Sequence, residues 1–283
     1  MMRLLVMVIA AVSSMGCLSA STMGLARTLN KGAVQGWASA AGGGIIASAP
    51  TASTGGVPTT TSTGTGYPMV EGGVRVGVSD HVELGGRLGF NGIGIEGKFG
   101  FVRSPTMDSG VNVSLAPQVG FVGIGVAGAF VGVVTMQLPV LIGIDFGGHE
   151  LVLGPKLHNS IYFAGVSAGG SSANAVIDLL SAGASVGFAI KAGPVRLLPE
   201  VSFVVPFFAS AGASASGTSG AVASGVGVGG FAFQIGFGIL FGSSESYERA
   251  EDPIVSPPPM PAPAPVPMPI PADGPPPPPP PSN

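Results

Sequence analysis

The stretch Phe231-Ala232-Phe233-Gln234-Ile235-Gly236-Phe237-Gly238-Ile239-Leu240-Phe241 decides the fold. Phe231, Phe233, Ile235, Phe237, Ile239 and Phe241 stand at alternate positions, and Ala232, Gln234, Gly236 and Gly238 fill the places between. Successive side chains of a strand point to opposite faces, so this segment has one apolar face and one small or polar face. A helix would mix the two sets. The same phase recurs upstream. Val70, Val74, Val76 and Val78 oppose Glu71, Gly73, Arg75 and Gly77, and Val82, Leu84 and Leu88 oppose Glu83, Gly85, Arg87 and Gly89. Ile95, Phe99 and Phe101 oppose Glu96, Lys98 and Gly100, and Leu138, Val140, Ile142 and Ile144 oppose Gln137, Gly143 and Asp145.

Ten strands are predicted, over 32–46, 68–78, 81–90, 93–104, 110–126, 131–146, 149–167, 175–192, 195–208 and 225–242, with eight or twelve as the neighbouring even counts. Tight connections are expected at Ser79-Asp80, Gly147-Gly148 and Gly193-Pro194. The Ser, Thr, Gly and Ala-rich stretches 47–66 and 209–225 read as long loops. A rival reading is a membrane-spanning helix over 121–144, whose first part is uncharged and contains Gly128-x-x-x-Gly132. Its many glycines and Pro139 argue for two strands with a turn near Gly128 instead.

Composition says what the apolar faces meet. Hydrophobic residues make up 46% of the 283, charged residues only 9%, and there are 48 glycines. A soluble surface carries roughly 25% charged residues, so most of this exterior faces lipid. A charge on the lipid face near midplane costs about 2–4 kcal/mol. The faces bearing Glu71, Arg75, Glu83, Arg87, Glu96, Lys98, Asp145, Glu150, Lys156, Lys191, Arg196 and Glu200 are therefore expected to line a lumen. Their signs balance, which predicts a lumen plugged by ion pairs; across the turn after the second strand, Arg75 is expected to meet Glu83, and Glu71 to meet Arg87. An open sheet edge in hydrocarbon leaves unpaired N–H and C=O groups, so the sheet has to close. The expected fold class is all-β, an antiparallel up-and-down transmembrane β-barrel followed by a disordered C-terminal tail.

Outside the barrel the chain changes character. Arg3 followed by an apolar run over 4–12, too short to span a bilayer, reads as a secretory signal. Ser14-Met15-Gly16-Cys17 resembles the lipobox of bacterial lipoproteins, which implies acylation of Cys17 and, with Leu18 next, sorting to the outer membrane. The alternative is a plain signal peptide cut near Leu18-Ser19-Ala20. From 253 onward the sequence is proline-rich, as expected for an extended polyproline II tail without a core. The predicted organisation is thus a signal over 1–20, a periplasmic linker over 21–31, the barrel over 32–242 and a disordered tail over 243–283.

The segment that decides the fold carries a second resemblance. Gln234, Gly236, Ile239 and Phe241 hold the places of the terminal-strand signal by which bacterial outer-membrane β-barrels are recognised for insertion. This implies the outer membrane as location, its lipid and the barrel-insertion machinery as partners, and periplasmic termini. In that family the signal usually ends the chain, whereas here residues 242–283 follow it. Tyr67, Phe90, Phe163, Phe207 and Phe231 are expected toward the outer rim and Phe101, Phe146 and Phe241 toward the inner, while Trp37, alone on the first strand, reads equally as an interface anchor or as packing.

Catalytic chemistry is thin. His81 and His149 fall at turns, His158 on a strand reads as a lumen hydrogen-bonding residue, and no spacing suggests a metal or a cofactor. The net charge of −3 supplies no basic face for nucleic acid. The expectation is a non-enzymatic barrel with a charge-filled lumen in a structural or envelope-tethering role, its tail either a solvated segment without a partner or a tether or docking peptide for a periplasmic one. A narrow passive pore and a secreted or surface glycine-rich β adhesin are the alternatives.

Overall fold

The computed structural model describes residues 19–51, 59–90, 92–106, 109–126, 128–168, 171–215, 222–224, 229–242 and Gly274. The chain divides into two units, Met1–Ala250 and Glu251–Asn283. The first is a closed antiparallel sheet. Its strands are β1 (Val34–Thr51), β2 (Thr59–Ser79), β3 (Val82–Gly89), β4 (Gly92–Val102), β5 (Ser109–Leu115), β6 (Gln118–Val126), β7 (Ala129–Phe146), β8 (His149–Ala168), β9 (Ser171–Ala192), β10 (Val195–Ala215), β11 (Val222–Ser224) and β12 (Gly229–Gly242).

Consecutive strands pair antiparallel from β1 to β10, except that β5 and β6 each pair with β4 and β7, and β12 closes the ring between β10 and β1. The ring has ten places. β5 and β6 share one of them, since Leu115 opposes Phe99 and Gln118 opposes Glu96 on the same strand β4. The predicted strand 110–126 is thus broken once, at Pro117, which has no amide hydrogen to give the ladder. Its carbonyl still accepts from Gly97 N–H at 2.9 Å, and Ala116 N–H donates to Pro139 O at 2.9 Å. Similarly, β11 pairs with residues 210–212 of β10, beyond the stretch that β12 covers.

Both predicted long loops shorten. Residues 47–51 pair with 59–63, and residues 209–215 pair with 173–179. Small polar residues satisfy their backbones as well in a protruding hairpin as in a loop, and the ladders simply continue. The rival helix over 121–144 lies instead in β6 and β7, and among the described residues no helix is long and apolar enough to cross a membrane. At the β7–β8 turn Gly147 and Gly148 take φ of +57° and +82°, the left-handed pair that a two-residue hairpin needs and that glycine adopts without steric cost.

Burial separates the two faces. Val70, Val74, Leu84, Leu88, Ile95, Ile235 and Phe237 are exposed on the outside, while their sequence neighbours Glu71, Arg75, Glu83, Glu96 and Gln234 are buried within the ring. Val34 opposes Val76, and Gln35 opposes both Gly242 and Arg75, so the ring begins and ends at the rim that carries the tight turns.

Candidate functional site in the barrel lumen

Three ion pairs cross the lumen wall between β2, β3 and β4. Glu83 and Lys98 stand opposite each other in register and meet at 2.8 Å. Glu71 and Arg87 are diagonal across β2 and β3, and they pair as the sequence suggested. Arg75, expected to meet Glu83, pairs with Glu96. It opposes Gly85, which in turn opposes Glu96, and Arg75 Nε reaches over that glycine to Glu96 Oε1 at 2.5 Å. A Cβ on Gly85 would stand 2.9 Å from Glu96 Cγ. The missing side chain is what lets an arginine span a whole strand.

Trp37 lies between these pairs, buried on the inward face of β1. The guanidinium carbons of Arg75 and Arg87 sit 5.2 and 5.7 Å from its ring, near enough for both cations to meet the indole π-face. Gly73 makes room for it, since a Cβ there would stand 2.6 Å from Trp37 Nε1.

Of the predicted lumen charges, Glu71, Arg75, Glu83, Glu96, Lys98, Asp145, Glu150, Lys156, Arg196 and Glu200 are buried, and Arg87 nearly so. Lys191 differs. It is exposed beside the Gly193 turn, where the strand ends and its long side chain reaches water. Tyr67 also departs from expectation, being buried in the lumen rather than at the outer rim, because its odd position shares the inward phase of Glu71 and Arg75. Phe90, Phe207, Phe231, Phe101, Phe146 and Phe241 are exposed on the outer face, and Phe163 stacks there on Phe121 and Phe130. His158 is buried and shares a 2.8 Å hydrogen bond between Nε2 and Ser160 Oγ. Gln234 points inward, whereas Ile239 and Phe241 point out. Cys17 and the segment 243–283 lie outside the described residues, apart from Gly274.

The main departure concerns residues 21–31, expected as a periplasmic linker. Residues 19–29 are instead buried inside the ring as a strap. Leu29 sits against Gly77 near the turn rim, and Ser19 Oγ donates to Glu71 Oε1 at 3.0 Å. Those wall positions are six residues apart on β2, so the strap climbs about 20 Å along it. Its main chain supplies hydrogen-bond partners for charged and polar groups of the wall. Glu200 accepts from Thr22 N–H at 2.8 Å and from Met23 N–H at 2.9 Å, one on each carboxylate oxygen. Glu150 accepts from Ala26 N–H at 2.7 Å, Glu83 from Leu29 N–H at 2.5 Å, and Gln234 Oε1 from Ala20 N–H at 2.8 Å. In the other direction Lys156 Nζ donates to Ala20 O, Gln137 Nε2 to Ser19 O, and Lys98 Nζ to Arg27 O.

Met23 holds φ of +34°, a left-handed conformation that costs an L-residue about 1–2 kcal/mol. That turn aims two successive amides at the one carboxylate of Glu200. Its side chain joins Leu25, Trp37, Ala189, Leu198 and Leu240 in an apolar cluster. Inward glycines clear the path. A Cβ on Gly236 or Gly238 would come within 2.7 or 2.9 Å of the Met23 side chain, and one on Gly143 within 2.8 Å of Ala26 Cβ. The strap's residues gave no period to read, so its sequence signal was these inward glycines.

The closed ring, the apolar exterior and the filled polar interior define a transmembrane β-barrel of ten strand places. The chain is similar in structure to the outer membrane protease OmpT from Escherichia coli, at TM-score 0.48 and 8% identity over 76% of this chain and 98% of that one. It is also similar to Ail, the attachment invasion locus protein of Yersinia pestis, at TM-score 0.28 and 12% identity over 75% and 99% of the two chains. The translocator domain of autotransporter NalP from Neisseria meningitidis gives TM-score 0.24 and 10% identity over 75% and 89%. No protein-family model and no curated protein matches the sequence. The fold assignment rests on the strand pairing and the two faces, not on these likenesses.

Proposed function

We propose that the chain is a bacterial outer-membrane β-barrel with a sealed lumen, acting as a structural and tethering element of the envelope. The observation that carries this reading is the lumen itself. Ion pairs, the Trp37 cluster and the strap fill it, and among the described residues no three His, Cys, Asp or Glu side chains gather as a metal site. The alternation of exposed apolar and buried charged residues supports a bilayer location, and the tight turns at the rim where β12 ends support a periplasmic exit for the C-terminal segment. From there the proline-rich segment would extend as a semi-rigid tether to a periplasmic partner. Mobility of outer-membrane fractions on gels, with and without boiling, tests the barrel: a heat-dependent shift is expected, and release of the protein by urea or carbonate washing would refute membrane embedding. Planar-bilayer recording of the purified full chain tests the seal. Silence is expected, and stable unitary currents would favour a passive pore.

A further inference from the structure

We infer that the lumen is a binding site for a peptide main chain, that residues 19–30 are its occupant in cis, and that without them the barrel conducts. This rests on the sealed-lumen reading and deepens it. Side chains of Ser19, Thr22, Arg27, Thr28 and Asn30 help hold the strap, but eight of its hydrogen bonds to the wall come from the main chain: Ala20, Thr22, Met23, Ala26 and Leu29 present N–H groups to wall acceptors, while Ser19, Ala20 and Arg27 present carbonyls to wall donors. Main-chain donors and acceptors of this kind are offered by any peptide, whatever its side chains. The wall is complementary in shape as well as in polarity. Gly77, Gly143, Gly236 and Gly238 lie against the strap, and a Cβ on any of them would crowd it.

The strap is also separable from the sheet. It contributes no strand to the ring, whose hydrogen-bonded closure involves β1 onward. Removing it empties a passage of roughly 5 by 10 Å in cross-section, the space an extended chain fills between neighbours. The wall left behind carries six buried carboxylates, Glu71, Glu83, Glu96, Asp145, Glu150 and Glu200, against five cations, Arg75, Arg87, Lys98, Lys156 and Arg196. Glu150 and Glu200 lose the amide donors seen here. The opened passage therefore favours cations.

The test is planar-bilayer recording on three proteins: the full chain, the full chain with Met23→Pro, and a variant lacking residues 19–30. Met23→Pro removes one of the two amides on Glu200 and cannot take the observed φ, yet leaves every wall residue in place. The full chain is expected to be silent, Met23→Pro to show intermittent currents, and the deletion to show steady cation-selective currents. A synthetic peptide of residues 19–30 should abolish the deletion's current, and the same peptide N-methylated at the Thr22 and Met23 amides should lose that block. Currents from the full chain would refute the sealed lumen. Silence of a heat-shifting deletion variant, with the full chain also silent, would overturn the inference alone. If the deletion does not fold, silence of Met23→Pro and of Glu200→Ala in the full chain overturns it.

Discussion

Arg75→Met is expected to be among the most damaging single changes in the lumen. Its guanidinium donates to both oxygens of Glu96, at 2.5 and 3.4 Å, and its carbon lies 5.2 Å from the Trp37 ring. Glu96 is only 8% exposed, so losing the arginine leaves a carboxylate that water cannot reach. Breaking a buried pair from one side costs about 3–5 kcal/mol, and the lost cation–π contact adds about 0.5–2 kcal/mol. Replacing both partners, Arg75→Met with Glu96→Leu, removes the stranded charge, so the double variant should lose only about 1–2 kcal/mol. The assay is urea unfolding of the protein refolded into lipid vesicles, followed by the emission of Trp37, the one tryptophan in the chain. The single variant should shift the folding equilibrium by a hundredfold or more. A single variant costing under about 1 kcal/mol, or a double variant costing the sum of the two singles, would refute the argument that this pair is buried and coupled.

Three further changes probe other parts of the wall. Leu84→Arg, at an outward position 54% exposed, should cost about 2–4 kcal/mol in the same urea titration, because the new charge faces lipid. Gly85→Val should cost about 1–3 kcal/mol by crowding Glu96 and prising it from Arg75, with a change in Trp37 emission before any denaturant is added. Alanine at both Gly147 and Gly148 should cost about 1–2 kcal/mol for each residue forced to a left-handed φ, and should slow refolding if the β7–β8 hairpin forms early.

Much of this fold was legible because period-two alternation reports directly which face of a strand meets lipid. Lys191 shows where that argument stops: phase assigns a face but not a depth, and at the end of β9 the inward phase opens onto solvent. Tyr67 was misplaced for the converse reason, since aromatic character suggested a rim while its phase, shared with Glu71, pointed into the lumen. The hairpin extensions over 47–51, 59–66 and 209–215 were hidden by composition, because Ser, Thr, Ala and Gly carry no hydropathy contrast from which to read a period. Arg75 found Glu96 rather than Glu83 because partner choice depends on the residue between them. Register alone made both carboxylates candidates, and the bare Cα of Gly85 decided for the farther one.

The strap was illegible for a more general reason, which the charge count makes plain. Counted from the strands alone, the predicted lumen held six acids and six bases, with Lys191 as the sixth base. The structure leaves Lys191 at the solvent-open rim and supplies the sixth buried cation as Arg27, from a segment with no strand pattern at all. Wall and strap are therefore halves of one electrostatic unit: Glu150 and Glu200 are tolerable in the interior because strap amides point at them, and the strap tolerates a left-handed Met23 because Glu200 holds two amides in place. A sequence argument that treats each strand as a two-faced object finds the wall charges but not the main-chain dipoles that complete their pairing. Those dipoles belong to every residue alike and leave no mark in the amino-acid order. What does leave a mark is the space they need, written as inward glycines at 77, 143, 236 and 238, where a barrel packed only by its own side chains would place larger residues.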